Sequence, residues 1–323
     1  MFPMRAIDVR NYVPVPADLP APTPGPDDVL INVVAAGVNR ADLHQAAGAY
    51  PPPRGASPIL GLECAGVVEA VGDEVDPGLV GRPVAALLEG GGYAEYAVAP
   101  VTQLFMLDDA SPADFAAAAA LPEALCTAWY NLVGICGLRK GQSVLIHGGS
   151  GGVGHIAIQL AKLLGARVLT TVGSAAKGER CRELGADVVI NYNDDVPAAI
   201  VAATEGWGVN VILDVLGGGA LADNLKSLAV GGQLAIIGTQ KGRRADLDIG
   251  RLLMRRLTVH GSTLRARSVN EKAWIVANAA EYWGRVTPVV DAVVPLERAE
   301  KAHRLINEEK TFGKIVLDVA LSG

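Results

Sequence analysis

The stretch Val144-Leu145-Ile146-His147-Gly148-Gly149-Ser150-Gly151-Gly152-Val153-Gly154-His155-Ile156 decides how this chain folds. Val144–His147 is a short apolar run that reads as a buried strand. Gly149, Ser150, Gly151, Gly152, Val153 and Gly154 then fit G-x-G-x-x-G where a helix opens. In that setting the first glycine allows a tight turn, the second lets backbone approach a pyrophosphate, and the third lets the helix pack on the strand. The free N–H groups of the turn then meet phosphate oxygens. A glycine-rich turn that binds nothing carries the same letters, so the flanking elements have to discriminate.

Downstream they alternate. His155–Leu164 reads as a helix with Ile156, Ile158, Leu160 and Leu163 inward, followed by a strand Arg167–Val172, a helix near Lys177–Leu184 and a strand Val188–Tyr192. A helix around Ala198–Thr204, a strand Val209–Val215, a helix around Leu221–Leu228 and the strands Leu234–Ile237 and Leu257–His260 complete six strands. This alternation specifies an α/β fold: a doubly wound parallel sheet, the Rossmann arrangement that binds dinucleotides. Upstream, Met4–Val9, Val29–Ala36, Ala65–Val71, Pro83–Leu87 and Tyr93–Val98 are short strand-like runs punctuated by Pro and Gly, so this zone is β-rich. Pro14–Pro26 reads as an extended surface connector. Helical sequence starts at Ala116–Ala120 and passes Pro122 towards Val133. The elements after about Leu264, a helix Glu271–Trp283, a strand Val289–Val294, a helix Arg298–Asn307 and a strand Lys314–Val319, are too few for a domain of their own. The expected division is 1-121 with 265-323 in one domain and 122-264 in the dinucleotide-binding one.

Composition removes other classes. Of 323 residues 50% are hydrophobic and 19% charged, which supplies full cores and argues against disorder. With 28 Lys+Arg against 34 Asp+Glu the net charge is −6, and no basic cluster offers a phosphate-tracking surface, so nucleic acid is not an expected partner. No apolar stretch reaches the roughly 18 residues of a membrane span, and Met1 to Arg10 lacks a signal-peptide layout; a cytoplasmic protein is expected. Cys64, Cys126, Cys136 and Cys181 are scattered, without the spacing of a zinc site, and read as reduced structural thiols.

The choice of dinucleotide falls nineteen residues past Gly154, where NAD-binding folds carry an acid for the ribose 2′-hydroxyl and this chain has Gly173. No carboxylate repels a 2′-phosphate there. Gly173 leaves room, Ser174 offers a hydroxyl and Lys177 a cation, which favours NADPH. Ser174 as a helix N-cap and Lys177 as a solvated helix residue are the plainer alternatives. Tyr192 is positioned to cover the adenine or the phosphate, or simply ends its strand. The turns Leu216-Gly217 and Gly238-Thr239 follow the fourth and fifth strands and should offer backbone to the nicotinamide ribose. Ser150 is not in a nucleophile elbow, and His44, His147, His155, His260 and His303 have no evident acid partner in the sequence.

Asn39-Arg40-Ala41-Asp42, Gly61-Leu62-Glu63-Cys64-Ala65-Gly66-Val67-Val68, the glycine turn, Gly173-Ser174 with Lys177, and Gly313-Lys314-Ile315-Val316-Leu317 together resemble the zeta-crystallin-like NADPH:quinone oxidoreductases of the medium-chain dehydrogenase/reductase superfamily. The resemblance spans the chain. It implies a GroES-like catalytic domain from the first and last zones, a Rossmann domain between them, NADPH in the cleft, and a homodimer or homotetramer. Zinc-dependent alcohol dehydrogenases of that superfamily carry a Cys where this chain has Asn39, a His-Glu pair where it has Leu62-Glu63, and a Cys close to Glu123. Asparagine and leucine cannot replace a thiolate and an imidazole around zinc, so no metal is expected and Glu63 reads as structural.

Without zinc, hydride donation suits an acceptor that is already electrophilic, a quinone or an α,β-unsaturated carbonyl. Asn39 and Tyr50 are the candidate catalytic residues: an amide N–H and a hydroxyl for the growing negative charge on the acceptor oxygen. Their plainer alternatives are a loop-capping turn residue and a surface aromatic among prolines. Arg265 and Lys314 are further candidate coenzyme contacts. A non-catalytic NADPH-binding protein is the expectation from another class.

Overall fold

In the computed structural model, residues 3–107 and 112–320 are described. β1 (Pro3–Arg10) and β2 (Val13–Pro20) form an antiparallel hairpin whose turn residues Asn11 and Tyr12 both take positive φ, 50° and 65°. Half of the expected surface connector Pro14–Pro26 is therefore a strand. Its prolines are tolerated because β2 pairs on one side only, so their missing N–H groups break no ladder on the other. β3 (Asp28–Val38), α1 (Arg40–Ala46), β4 (Glu63–Val71), β5 (Pro83–Leu87), β6 (Tyr96–Pro100) and β7 (Leu104–Met106) follow. β6 starts three residues later than the sequence suggested, because the Tyr93 N–H donates to the Leu60 carbonyl and its carbonyl accepts from the Ile7 N–H, away from the ladder with β3.

The expected continuous helix past Ala120 is two, α2 (Pro112–Ala119) and α3 (Pro122–Trp129). Pro122 cannot extend a helix but suits the first position of a new one. Next come β8 (Ser143–Ile146), α4 (Gly154–Leu163), β9 (Arg167–Val172), α5 (Ala175–Glu183), β10 (Val188–Asn191) and α6 (Val196–Ala203). β11 (Val209–Asp214), α7 (Leu221–Ser227), β12 (Leu228–Ile236), α8 (Ile249–Arg255) and β13 (Thr258–Gly261) continue the alternation. β12 is longer than the expected strand Leu234–Ile237 and already starts at Leu228: Gly231 and Gly232 are carried inside the strand by a register shift against β11. Leu163 is not inward but 39% exposed, since the buried stripe of α4 runs through Ala157, Leu160 and Ala161 and leaves it at the rim. The chain ends with α9 (Val269–Ala279), β14 (Val290–Pro295), α10 (Ala299–Asn307) and β15 (Lys314–Asp318). Trp283 lies beyond α9 and stacks on Phe105 with centroids 4.5 Å apart.

These elements form two units, Met1–Cys126 with Leu264–Gly323, and Thr127–Thr263. The first has a sheet in the order β14-β15-β3-β4-β5-β7, with β6 also paired to β3. Its core includes Val29, Ile31, Val33, Val68, Val84, Ile315 and Leu317. Burying each such side chain contributes about 1.5–3 kcal/mol. The second unit has a parallel sheet in the order β10-β9-β8-β11-β12-β13. Strand order reverses between β8 and β11, where Ile146 faces Leu213, and ligands of such sheets lie at the carboxyl ends beside that reversal. Among the described residues no helix is long and apolar enough to cross a membrane.

Candidate functional site

In the first unit the sheet itself gathers a charged cluster. β3 lies between β15 and β4, so the residue after β3, Asn39, meets the residues that open the other two, Lys314 and Glu63. Lys314 Nζ donates to Asn39 Oδ1 and to Glu63 Oε1, both at 2.6 Å, and Asn39 Nδ2 donates to Glu63 Oε1 at 2.8 Å. Glu63 Oε2 accepts from the backbone N–H of Glu123 at 2.9 Å. The Lys314 and Glu63 side chains are 2% and 0% exposed. Gly37 makes room for them: a Cβ there would fall 2.3 Å from Glu63 Oε1 and from the Ala119 carbonyl oxygen. Breaking such a buried pair costs about 3–5 kcal/mol, because the surviving charge stays buried.

Behind this cluster, Asp42 accepts from the N–H of Asn39 (2.8 Å), the N–H of Gly61 (3.1 Å) and the Tyr93 hydroxyl (3.1 Å). Burial outweighs these donors and pushes its carboxyl up to about 6. The Tyr93 hydroxyl also lies 3.4 Å from His303 Nε2, and burial lowers that imidazole to about 4. His303 thus reaches an acid through a hydroxyl, a link no sequence spacing announces.

Glu123, in the first turn of α3, is pushed up to about 8, by burial first and then by the Glu63 carboxylate, while Lys314 and Arg265 work against the shift. The helix dipole also favours the carboxylate, but at about 0.3–1 kcal/mol it is below the roughly 1.36 kcal/mol of one pK unit. Burial wins. Tyr50 is half-buried; burial and Glu123 raise its hydroxyl, and Arg265 opposes them. The Arg265 guanidinium lies 5.6 Å from the Tyr50 ring centroid, and its Nε donates to the Glu89 carbonyl at 2.6 Å. Arg265 Nη2 is buried and has no acceptor among the described residues. Two expected coenzyme contacts therefore lie in the first unit: Arg265 beside Tyr50, and Lys314 with its ammonium enclosed by Asn39 and Glu63.

In the second unit the glycine turn joins β8 to α4. A Cβ at Gly149 would lie 2.2 Å from Thr170 Oγ1, and one at Gly154 would lie 2.2 Å from the Gly148 oxygen; at Gly151 the nearest atom is 3.2 Å away. The first and third glycines of the motif are thus demanded by packing, and the middle one leaves backbone approachable. Gly148, one residue earlier, takes the positive φ of 70° that turns the chain. Gly149 and Gly151 N–H donate to the carbonyls of Thr171 and Gly148. Among the described residues no hydrogen bond engages the amides of Ser150, Gly152 or Val153.

Ser174 N-caps α5 by accepting from the Lys177 N–H at 3.3 Å, so its plainer role is met while its hydroxyl proton remains a donor. The space at Gly173 is taken by Tyr192: a Cβ there would fall 2.3 Å from the phenolic oxygen. Lys241, which the sequence did not single out, stands 5.4 Å from the Tyr192 ring centroid. Both line a cavity of about 670 Å³ at the carboxyl ends of the strands, with His147, Leu216, Ala220 and Asn224. The two expected ribose-binding turns interlock: the Lys241 N–H donates to the Leu216 carbonyl at 2.7 Å, and a Cβ at Gly217 would meet Thr239 and Gly238 within 2.9 Å. His147, at the end of β8, bonds Thr171 Oγ1 and Asn224 Oδ1 at 3.1 and 2.7 Å, and burial lowers its imidazole.

Among the described residues no three His, Cys, Asp or Glu side chains converge as metal ligands. Sequence reasoning missed the Glu63–Lys314–Glu123 cluster as a unit and Lys241. Glu63 between Leu62 and Cys64 and Lys314 before Ile315-Val316-Leu317 did carry a signal, since a charge inside an apolar run requires a partner.

The zinc-binding dehydrogenase family matches residues 152–279, and the alcohol dehydrogenase GroES-like domain matches residues 25–109. A quinone oxidoreductase of Lama guanicoe is 32% identical over 97% of either chain. A phenolphthiocerol/phthiocerol polyketide synthase of Mycobacterium tuberculosis is 35% identical over 93% of this chain, which spans only 14% of that protein. Among solved structures, an NAD-dependent alcohol dehydrogenase aligns at a TM-score of 0.85 with 35% identity, over 98% of this chain and 100% of that one. Mycobacterial Rv1454c complexed with NADPH aligns at 0.86 with 33% identity, over the same shares.

Proposed function

The chain belongs to the quinone oxidoreductases of the medium-chain dehydrogenase/reductase superfamily, and from that premise we propose that it reduces a quinone with NADPH, without zinc. The observation that carries this reading is the glycine turn, with the amides of Ser150, Gly152 and Val153 open beside the strand-order reversal. A pyrophosphate fits such amides. The extra phosphate of NADPH suits the hydroxyls of Ser174 and Tyr192 and the cations Lys177 and Lys241, with no acid at Gly173 to repel it. NADPH supplies a hydride when bound. Leu216, Gly217, Gly238 and Thr239 contribute backbone for the nicotinamide ribose.

Zinc does not suit the donors present. The Lys314 ammonium is already 2.6 Å from Glu63 Oε1, so a divalent cation on that carboxylate would face a like charge, and Asn39 offers an amide where a thiolate is needed. The cluster suits a different task. Asn39 has one Nδ2–H on Glu63, and its second N–H is available to an acceptor oxygen; Lys314 and Glu63 hold the amide in place. Tyr50 supplies a hydroxyl for the same oxygen or a ring against which an acceptor stacks.

Mixing the protein with NADPH and a small quinone tests the reading: oxidation of the coenzyme is expected, and none across a panel of quinones refutes it. Reduction of conjugated enones, which uses the same hydride geometry and leaves the same negative charge on an oxygen, is the second reading. Relative kcat/KM on a quinone and an enone separates the two.

A further inference from the structure

We propose that Glu123 is the proton donor that completes reduction of the acceptor, an inference that rests on reading the chain as a hydride-transferring reductase. A hydride brings one hydrogen nucleus and two electrons to a quinone and leaves negative charge on an oxygen. The hydroquinone forms only when that oxygen takes a proton; the enolate left by an enone has the same requirement. In the step inferred, the O–H bond of the Glu123 carboxyl breaks, an O–H bond forms on the acceptor, and the carboxylate left behind is reprotonated by water.

Burial singles out Glu123 among the carboxyls and thiols around it. Asp42 and Glu63 are sealed at 0% exposure with both oxygens of each engaged, and Cys64 and Cys126 are equally sealed. Glu123 is half-buried, like Asn39 and Tyr50, and joined to Asn39 through Glu63. Of Asp42, Glu63 and Glu123 it is thus the one residue that is not sealed. Its surroundings keep the proton in place until it is needed: burial, Glu63 and Asp42 favour the acid, whereas Lys314 and Arg265 favour the carboxylate. Tyr50 and Cys126 are the other titratable groups that sense its charge. A donor held near 8 is protonated at neutral pH yet gives its proton up readily, which is what general-acid chemistry requires.

The test compares wild type with Glu123→Gln and Glu123→Asp. The glutamine variant is expected to lose about 10²–10⁴-fold in kcat while its NADPH Kd stays unchanged; the aspartate variant should recover part of the loss. In wild type kcat should fall as pH rises through about 8, and that limb should vanish in the glutamine variant. A glutamine variant within twofold of wild type, with the same pH profile, overturns the proposal. Infrared spectra of coenzyme-free wild type provide an independent readout, since a protonated-carboxyl carbonyl band should disappear between pH 7 and 9; no such loss also overturns it. If wild type reduces no acceptor, the functional reading falls and this inference with it, whereas turnover with an indifferent variant removes the inference alone.

Discussion

The charged cluster of the first unit and the glycine turn of the second solve opposite problems. Around Asn39, Glu63 and Lys314 nearly every polar atom is already bonded to another, so the cluster is stiff and holds its charge in a dry interior. Around Ser150, Gly152 and Val153 the backbone N–H groups have no partner among the described residues, and the turn holds its shape through glycine packing. A site that orients a reacting group needs its own hydrogen bonds satisfied, and a site that captures an anion needs some left open.

Removing Lys314 should break the contrast most severely. Lys314→Ala leaves Glu63 charged and buried, and a loss of about 3–5 kcal/mol in urea unfolding is expected. A loss below about 1 kcal/mol would mean that the buried Lys314–Glu63 pair adds little to folding. His303 tests the same interior through pH. Its folded value near 4 lies below the ordinary 6.5, so the unfolded chain binds the extra proton and the stability it contributes is full above about 6.5 and lost as pH falls towards 4. The stability difference between wild type and His303→Gln should grow by something on the order of 3 kcal/mol from pH 4 to 7, at about 1.36 kcal/mol per pK unit. A constant difference would count against it. Asp42, raised to about 6, runs the other way: its contribution is full below about 4 and lost as pH rises through 6.

The glycine turn is sharpened by a pair of variants. Gly154→Ala drives a methyl against the Gly148 oxygen and should cost about 1–3 kcal/mol of stability. Gly151→Ala meets the Gly148 oxygen only at 3.2 Å, a tight contact but not the overlap of Gly154, so it should cost less stability than Gly154→Ala while weakening NADPH binding, measured by calorimetry. Equal stability losses would erase the distinction drawn between the two glycines. Lys177→Ala should have the smallest effect, about tenfold weaker NADPH binding with NADH nearly unchanged, as expected for one charge-assisted contact of roughly 1.4 kcal/mol. Equal losses for the two coenzymes would remove the phosphate assignment.

Much of the second unit is legible in the sequence. The turn, the alternating strands and the missing acid at Gly173 are local patterns, read within about twenty residues of one another. The expected strand Leu234–Ile237 falls short there, since β12 already starts at Leu228; in the first unit, Pro122 ends one helix by starting another. In the first unit, Pro14–Pro26 misled because proline in an edge strand leaves the same letters as a loop.

By itself the sequence determined the α/β class, the parallel sheet and the place of the glycine turn, because hydrophobic period and glycine spacing act between near neighbours along the chain. Only the tertiary structure decided that Asn39, Glu63, Glu123 and Lys314 form one cluster, since pairing of β15, β3 and β4 joins positions up to 275 residues apart. It likewise decided that Lys241 stands over Tyr192. A carboxyl's proton affinity depends on the charges and the burial around it in space, and no spacing along the chain encodes them.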